Sequence, residues 1–383
     1  MNFGKSDSPN RSSGLLIPTL IGIAILLVIG GFLISQLTDW LFATQASAEA
    51  EQIDELFRVF LGIGGGLFLL VQGLLLYSVI RFRKRKGDES DGPTIHGNVA
   101  LELTWTAIPS VVVLVLVIYS YQVWSDIRAP KDNEMVVHGI GARYAWTFEY
   151  TDDRVDETIS SNTLHTYVGR PVRMVLDAQD VIHSFWVPAM RIKQDLMPGR
   201  TTEISFTPTQ AGRYRVVCAE LCGAGHGQMW AWIEVYEDEE TYLASFADPA
   251  VERILNPPED PAELGRQVIQ SYACTGCHVL DDLDWQGVTG PSLNNVGDTA
   301  SRRIPGYTAE EYLYESVYYS GAFIVAGYDN VMPQYQPDDP DGPNYMPVED
   351  VRAIVAYLCT LTDDGESACD LENLDAIIEA DQQ

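Results

Sequence analysis

Three apolar runs dominate the first 125 residues of the chain, and short alternating segments take over behind them. The first run, Leu15 to Leu37, follows Lys5 and Arg11 and approaches the ~20 residues that a helix needs to cross a bilayer. Ala46-Ser47-Ala48 offers a small-residue cleavage site, so a signal peptide competes with a retained transmembrane helix. That site lies well beyond the apolar end, which favours the retained helix. The second run, Val59 to Ile80, is uncharged, Gly-rich at its start and leucine-rich later. It ends in Arg81-Phe82-Arg83-Lys84-Arg85-Lys86, a basic block that belongs on the cytoplasmic side. The third, Ile108 to Trp124, begins after Trp105 and ends in Tyr119, Tyr121 and Trp124, aromatics suited to a membrane interface. With the basic loop inside, everything after Trp124 is expected outside, whether or not the first segment is cleaved.

From about Met135 to Tyr236 the pattern is β. Met135-Val136-Val137, Tyr144 to Tyr150, Val172 to Leu176, Gly212 to Val217 and Trp230 to Val235 are short runs broken by Gly, Pro and Asp. Strands of this kind suggest a sandwich or barrel. An acidic, Pro-rich connector follows, and Asp260-Pro261 reads as the N-cap and first residue of a helix. Helical periodicity returns in Ala309 to Ser320 and in Val348 to Leu361. The expected fold class is therefore multidomain. Residues 1–48 form an N-terminal transmembrane segment or signal anchor, and 49–128 a transmembrane hairpin with a basic cytoplasmic loop. Residues 129–240 form an all-β barrel, 241–260 a linker, and 261–383 an all-α domain.

Charge narrows the partners. The net charge is −30, and from residue 125 onward 44 acidic side chains face 16 basic ones. Phosphate binding needs the opposite sign, so nucleic acid is not an expected partner. The acidity either steers a basic redox protein into place or simply confers solubility. Six cysteines are too few for a disulfide scaffold. Cys359 and Cys369, ten residues apart, are expected to pair if this part is extracytoplasmic, and otherwise remain two thiols.

The other four cysteines carry the chemistry. Cys218-Ala219-Glu220-Leu221-Cys222-Gly223-Ala224-Gly225-His226-Gly227-Gln228-Met229 gathers two thiols, an imidazole and a thioether, with His183 upstream. Soft sulfur mixed with imidazole suits copper. A zinc site of two Cys and two His is the alternative, which Met229 and Glu220 argue against. Further on, Cys274-Thr275-Gly276-Cys277-His278 reads as a c-type haem attachment with His278 as proximal ligand; a redox disulfide is the alternative for its two thiols. Met332 and Met346, each followed by proline, compete for the distal position, and a Met/His pair raises the haem potential. Pro347 is expected to open the terminal helix, so Met346 reads as a helix-flanking residue and Met332 as the ligand.

The His183 and Cys218-to-Met229 set, outside a transmembrane hairpin, resembles subunit II of cytochrome c oxidases. The resemblance covers about residues 50–236 and includes Asp180-Val181-Ile182-His183-Ser184 and Lys193-Gln194-Asp195-Leu196-Met197-Pro198-Gly199-Arg200. It implies a cupredoxin-like barrel with a dinuclear copper centre. Cys218 and Cys222 would bridge two ions, His183 and His226 would cap one each, and Met229 and the Glu220 carbonyl would be weak outer ligands. The Glu220 carboxylate would help bind magnesium shared with subunit I. Tyr144-Ala145-Trp146 falls where the family receives electrons from cytochrome c, with Tyr144 standing where Trp is usual; as strand residues, both aromatics also fit a core. Glu102 is either a proton-uptake group or a solvated helix-start acid.

Residues Pro261 to Leu361 resemble a class I cytochrome c, with Gly290-Pro291-Ser292-Leu293 as its loop and Met332 at the family's ligand position. The insert Pro337 to Pro343 departs from a compact cytochrome. Together the two resemblances imply the arrangement of caa-type haem-copper oxidases, in a bacterial plasma membrane. Electrons would pass from an external donor (a cytochrome, a small copper protein or a quinol-oxidising complex) through haem c and copper to haem in subunit I. A copper-dependent nitric oxide reductase and a membrane-anchored copper-binding protein are the rival readings. A quinol oxidase subunit is disfavoured because such chains lack the copper ligands.

Overall fold

The computed structural model describes residues 13–84, 86–87, 96–337 and 345–382, with side chains from Pro18 onward. Lys5, Arg11, Arg85 of the basic block and Asp338 to Pro343 of the insert lie outside the described residues. The described residues form two compact units, one within 1–44 and 50–129, the other within 45–49 and 130–383.

The first unit holds α1 (Ser13–Ser35), α2 (Ala48–Phe82) and α3 (Val99–Arg128). Among the described residues, three helices are long and apolar enough to cross a membrane. Glycines let α1 and α2 approach closely: a Cβ on Gly31 would come within 2.4 Å of the Gly62 carbonyl oxygen. Arg58 pairs with Asp39, and its Nε donates to Thr38 Oγ1 at 3.1 Å. Both α2 and α3 run past their apolar stretches, because backbone hydrogen bonding propagates through polar turns that hydropathy does not mark. In α3, Asn98 is the N-cap. Its side chain accepts from Leu101 N–H at 3.2 Å, and Glu102 Oε1 accepts from Asn98 N–H at 3.1 Å.

In the second unit, ten strands form two five-stranded sheets. They are β1 (Met135–Ala142), β2 (Ala145–Tyr150), β3 (Ile159–Ser161), β4 (Thr163–Tyr167) and β5 (Val172–Ala178). The remainder are β6 (His183–Val187), β7 (Ile192–Leu196), β8 (Thr202–Phe206), β9 (Gly212–Cys218) and β10 (Trp230–Tyr236). Their orders are β3-β2-β1-β5-β8 and β4-β10-β9-β6-β7. Alternation sends Ala231, Ile233 and Val235 of β10 inward. They join Phe148, Phe185, Met174, Leu176 and Leu196 in the core. This is the cupredoxin-like β domain that the sequence led us to expect. Residues 45–49 are woven into it. Ala46 N–H donates to the Ala189 carbonyl and Ala48 N–H to that of Thr207, at 2.8 and 3.0 Å, while Glu49 pairs with Lys131. The small-residue triplet Ala46-Ser47-Ala48 is thus part of the β domain's hydrogen-bonded edge.

The connector is not an extended tether. Three helical pieces, Glu239–Tyr242, Leu243–Ala247 and Asp248–Leu255, fold back so that Tyr242, Phe246, Ala250 and Val251 join the β-domain core. The apolar positions recur at helical spacing, a pattern hidden among acids and prolines.

The C-terminal part is helical: α4 (Pro261–Val268), α5 (Ala309–Tyr318), α6 (Val348–Thr360) and α7 (Leu371–Asp381). Asp260 caps α4, its side chain accepting from Ala262 N–H at 3.0 Å with Pro261 at the first helical position. At the crossing of α4 and α6, a Cβ on Gly265 would lie 1.8 Å from the Ala353 carbonyl oxygen. The sequence expectation for α6 is off by one residue. Pro347 is the N-cap, with ψ of 153°, and the helix begins at Val348. Cys359 and Cys369 form a disulfide between the end of α6 and the approach to α7.

Candidate metal and haem sites

The strand order brings the copper-type ligands together. β6 opens on His183 and β9 closes on Cys218, and the two strands are neighbours, with Phe185 opposite Cys218. The loop from Cys218 to Met229 then leads into β10, and the Cys218 N–H donates to the Met229 carbonyl at 3.0 Å. A rigid sheet therefore holds both ends of the loop.

Within it the donors are doubled. Cys218 Sγ lies 3.9 Å from His183 Nδ1 and 3.2 Å from the Glu220 carbonyl oxygen. Cys222 Sγ lies 3.5 Å from His226 Nδ1 and 3.8 Å from Met229 Sδ. The sulfurs are 3.8 Å apart. His183, Cys218 and Cys222 place ligand atoms within 4.8 Å of one another, and His226 joins from the Cys222 side. Each thiol thus has its own imidazole and its own weaker donor. That set suits two soft metal ions sharing two sulfurs better than one tetrahedral zinc.

Electrostatics prepare the first thiolate. Burial pushes the Cys218 thiol up, but hydrogen bonds with His183, with the backbone at Ser184 and Glu220 and with Cys222 outweigh it and hold it below the usual thiol range. Cys222 is pushed up by burial and by the charge on Cys218. A bound cation would relieve this second penalty, because a metal-bound thiol is deprotonated outright.

Asp180 supports the site from behind; in the sequence it drew notice only as the first residue of the run Asp180 to Ser184, with no role of its own. Its Oδ1 accepts from His183 Nε2 at 2.7 Å, which fixes the tautomer that leaves Nδ1 facing Cys218. Burial raises the Asp180 carboxyl, yet hydrogen bonds from His183, Val181 N–H and Arg143 hold it well below the usual range. Trp146 is buried, its ring edge-on to Phe185 at 5.7 Å and to His183 at 6.3 Å. Tyr144 is 2% exposed.

In the helical part, one apolar cavity is lined by Cys274, Cys277, His278, Arg303, Met332, Tyr335 and Met346. His278 Nδ1 donates to the Pro291 carbonyl at 2.7 Å, leaving Nε2 for iron. The His278 imidazole is lowered by burial and so is neutral, as ligation requires. Burial pushes the Cys274 thiol up to about 12. Arg303 Nε is buried and has no hydrogen-bond partner among the described residues. An entering haem carboxylate would satisfy it, so the cavity fits the group. Sequence reasoning missed Arg303, since one arginine in Ser301-Arg302-Arg303 carries no signal of burial. Both candidate distal residues line the cavity, but their settings differ. Met346 is fully buried, tied by its N–H to the Gln336 carbonyl and by its carbonyl to the Tyr318 hydroxyl. Met332 is partly exposed, and its carbonyl accepts from Ser320 Oγ at 3.0 Å.

Residues 160–236 match the family described as cytochrome c oxidase subunit II, periplasmic domain, and residues 34–123 match its transmembrane domain. Residues 262–362 match cytochrome c. Cytochrome c oxidase subunit 2 of Synechocystis sp. is 37% identical over 274 residues, covering 59% of this chain and 80% of that protein. The subunit 2 of Alkalihalophilus pseudofirmus is 31% identical over 303 residues, covering 76% and 82%. Among solved structures, the periplasmic domain of subunit II of the Bradyrhizobium japonicum cytochrome oxidase is 29% identical, covers 32% of this chain and 97% of that one, and has a TM-score of 0.29. The chain belongs to the cytochrome c oxidase subunit II family and carries a cytochrome c domain fused at its C-terminal end.

Proposed function

We propose that this chain is where electrons come into a haem-copper oxidase of the caa type. Its haem would take electrons from an external donor, its copper pair would receive them next, and haem in subunit I would be the destination. The observation that carries this reading is the doubled donor set, in which each thiol has one imidazole and one weak donor. His183 and His226 would cap the two ions, Cys218 and Cys222 would bridge them, and Met229 and the Glu220 carbonyl would be outer ligands. A copper pair supplies a one-electron carrier, and the stiff loop keeps ligand movement small. The Glu220 carboxylate is exposed, as binding magnesium against subunit I requires.

Cys274 and Cys277 would attach the haem vinyls, with His278 and Met332 as axial ligands and Arg303 on a carboxylate of the ring. The basic loop would lie on the cytoplasmic side and the second unit outside a bacterial plasma membrane. Glu102, hydrogen-bonded to its own helix start, would be a proton-uptake group as well as a cap. Oxygen reduction belongs to subunit I. The test is purification of the complex through a tag on this chain, with gas uptake under a chemical reductant. Oxygen consumption that falls in His278→Ala supports the proposal. Consumption of nitric oxide in its place would transfer the chain to the reductase reading.

A further inference from the structure

The second unit holds the copper loop and the haem-attachment loop against each other, and Tyr144 lies between them. On the copper side, a Cβ on Gly225 would come 2.4 Å from the Tyr144 ring, and one on Gly223 would come 2.5 Å from its hydroxyl. Both glycines are therefore needed for the ring to lie flat on the loop that carries Cys222 and His226. On the haem side, a Cβ on Gly276 would come 2.3 Å from the Tyr144 carbonyl oxygen. Cys277, next along the chain, is buried and belongs to the β-domain core. Beside this wedge is a second tie. Gln228 Oε1 accepts from Thr289 Oγ1 at 2.9 Å and from Val288 N–H at 3.4 Å. Gln228 lies between His226 and Met229, and Thr289 precedes Gly290, whose Cβ would touch the His278 ring at 2.8 Å.

We propose that Tyr144 and Gln228 are positioning residues of a permanent junction, across which the two carriers of this one chain exchange electrons. Tyr144 is then met by the chain's own haem-attachment loop at Gly276 and is closed to a protein arriving from solution. The inference rests on the relay reading given above and adds the place and the mode of transfer. With both groups bound, the step would be a one-electron exchange in which a ferrous haem would become ferric as one copper(II) became copper(I), while Tyr144 would gain or lose neither a bond nor a proton. An external donor must then dock on the haem domain away from this contact. Gly276 is the discriminating position, because a haem-attachment motif accepts any residue there, whereas the junction does not.

The experiment uses the full chain loaded with copper and haem, as wild type, Gly276→Val and Gln228→Ala. Hydrogen exchange is read over residues 223–229 and 273–278, and the rate of copper reduction is read after photoreduction of the haem. Transfer scales with the fraction of molecules that are docked, so a variant docked about one-tenth of the time slows it about tenfold. Protected loops in the wild type, with faster exchange and a drop of that order in Gly276→Val and a smaller drop in Gln228→Ala, are expected. Wild-type exchange and rate in both variants would overturn the junction. Copper and haem content on the same samples separates the two claims: absence of the copper pair sinks the relay reading, and a full pair with unchanged transfer sinks the junction alone.

Discussion

His165 supplies a pH dependence that can be worked out from its surroundings. It sits on β4, its ring stacked on Phe246 at 3.9 Å and on Tyr236 at 6.0 Å between centroids. Its Nδ1 meets the Tyr236 hydroxyl at 3.1 Å. Burial, with smaller contributions from the Arg213 and Arg253 charges, lowers the imidazole from 6.5 to about 3. The folded ring therefore stays neutral through a range where the unfolded one takes up a proton. Stability from this residue is fully present above 6.5 and is lost as pH falls towards 3. At about pH 5 the loss comes to about 2 kcal/mol, an upper figure because the side chain keeps some solvent contact. For a unit of this size that corresponds to about 4–8 °C in melting temperature. The assay compares thermal unfolding of wild type and His165→Gln between about pH 8 and about pH 5, where every other titrating group cancels in the difference. Gln loses the aromatic stack at all pH values, a cost of about 0.5–1.5 kcal/mol, so only the pH-dependent part is diagnostic. The wild type should lose the additional few degrees on acidification. Parallel pH profiles would show that the ring is not held neutral and would refute the reasoning.

Gly265→Ala should destabilise the haem domain by about 1–3 kcal/mol or more, since the added methyl collides with the Ala353 carbonyl and backbone cannot turn aside; haem-band loss on heating measures it. Met332→Leu should abolish thioether ligation and lower the haem potential, whereas Met346→Leu, a near-isosteric change in a filled core, should keep both at a cost under about 1.5 kcal/mol. Spectra and redox titration of the two variants decide the ligand, and the opposite pattern would reassign it to Met346. Cys369→Ser opens a loop with a sequence separation of 10 and should cost about 2.7 kcal/mol by chain entropy, read as an earlier helical melt that reductant reproduces in the wild type.

Much of this was legible in the residues because it depends on local chemistry. Uncharged apolar runs mark helices that cannot stay in water, and the spacing of Cys218, Cys222, His226 and Met229 needs one loop only. Period-two alternation in Trp230 to Val235 and helical spacing in Val348 to Leu361 lie within single elements. What escaped depends on partners distant in sequence. Phe246 looks like a linker residue until His165 and Tyr150 are brought beneath it. Arg303 looks like a surface charge until its Nε is closed off beside the haem cavity. Gln228 carries no signal at all without Thr289, which lies 61 residues away. Tyr144 was legible as an aromatic of interest, but its cover by Gly276 was not, because an absent side chain has no hydropathy.

The central claim is a copper pair in series with one covalent haem on a single chain. Copper and haem content of the full chain, produced with maturation of both, measured together with its electron paramagnetic resonance spectrum, tests it most directly. Two coppers and one haem per chain, with the unpaired electron shared by both copper nuclei, is the predicted result. A single labile copper, or zinc in its place, would contradict the relay.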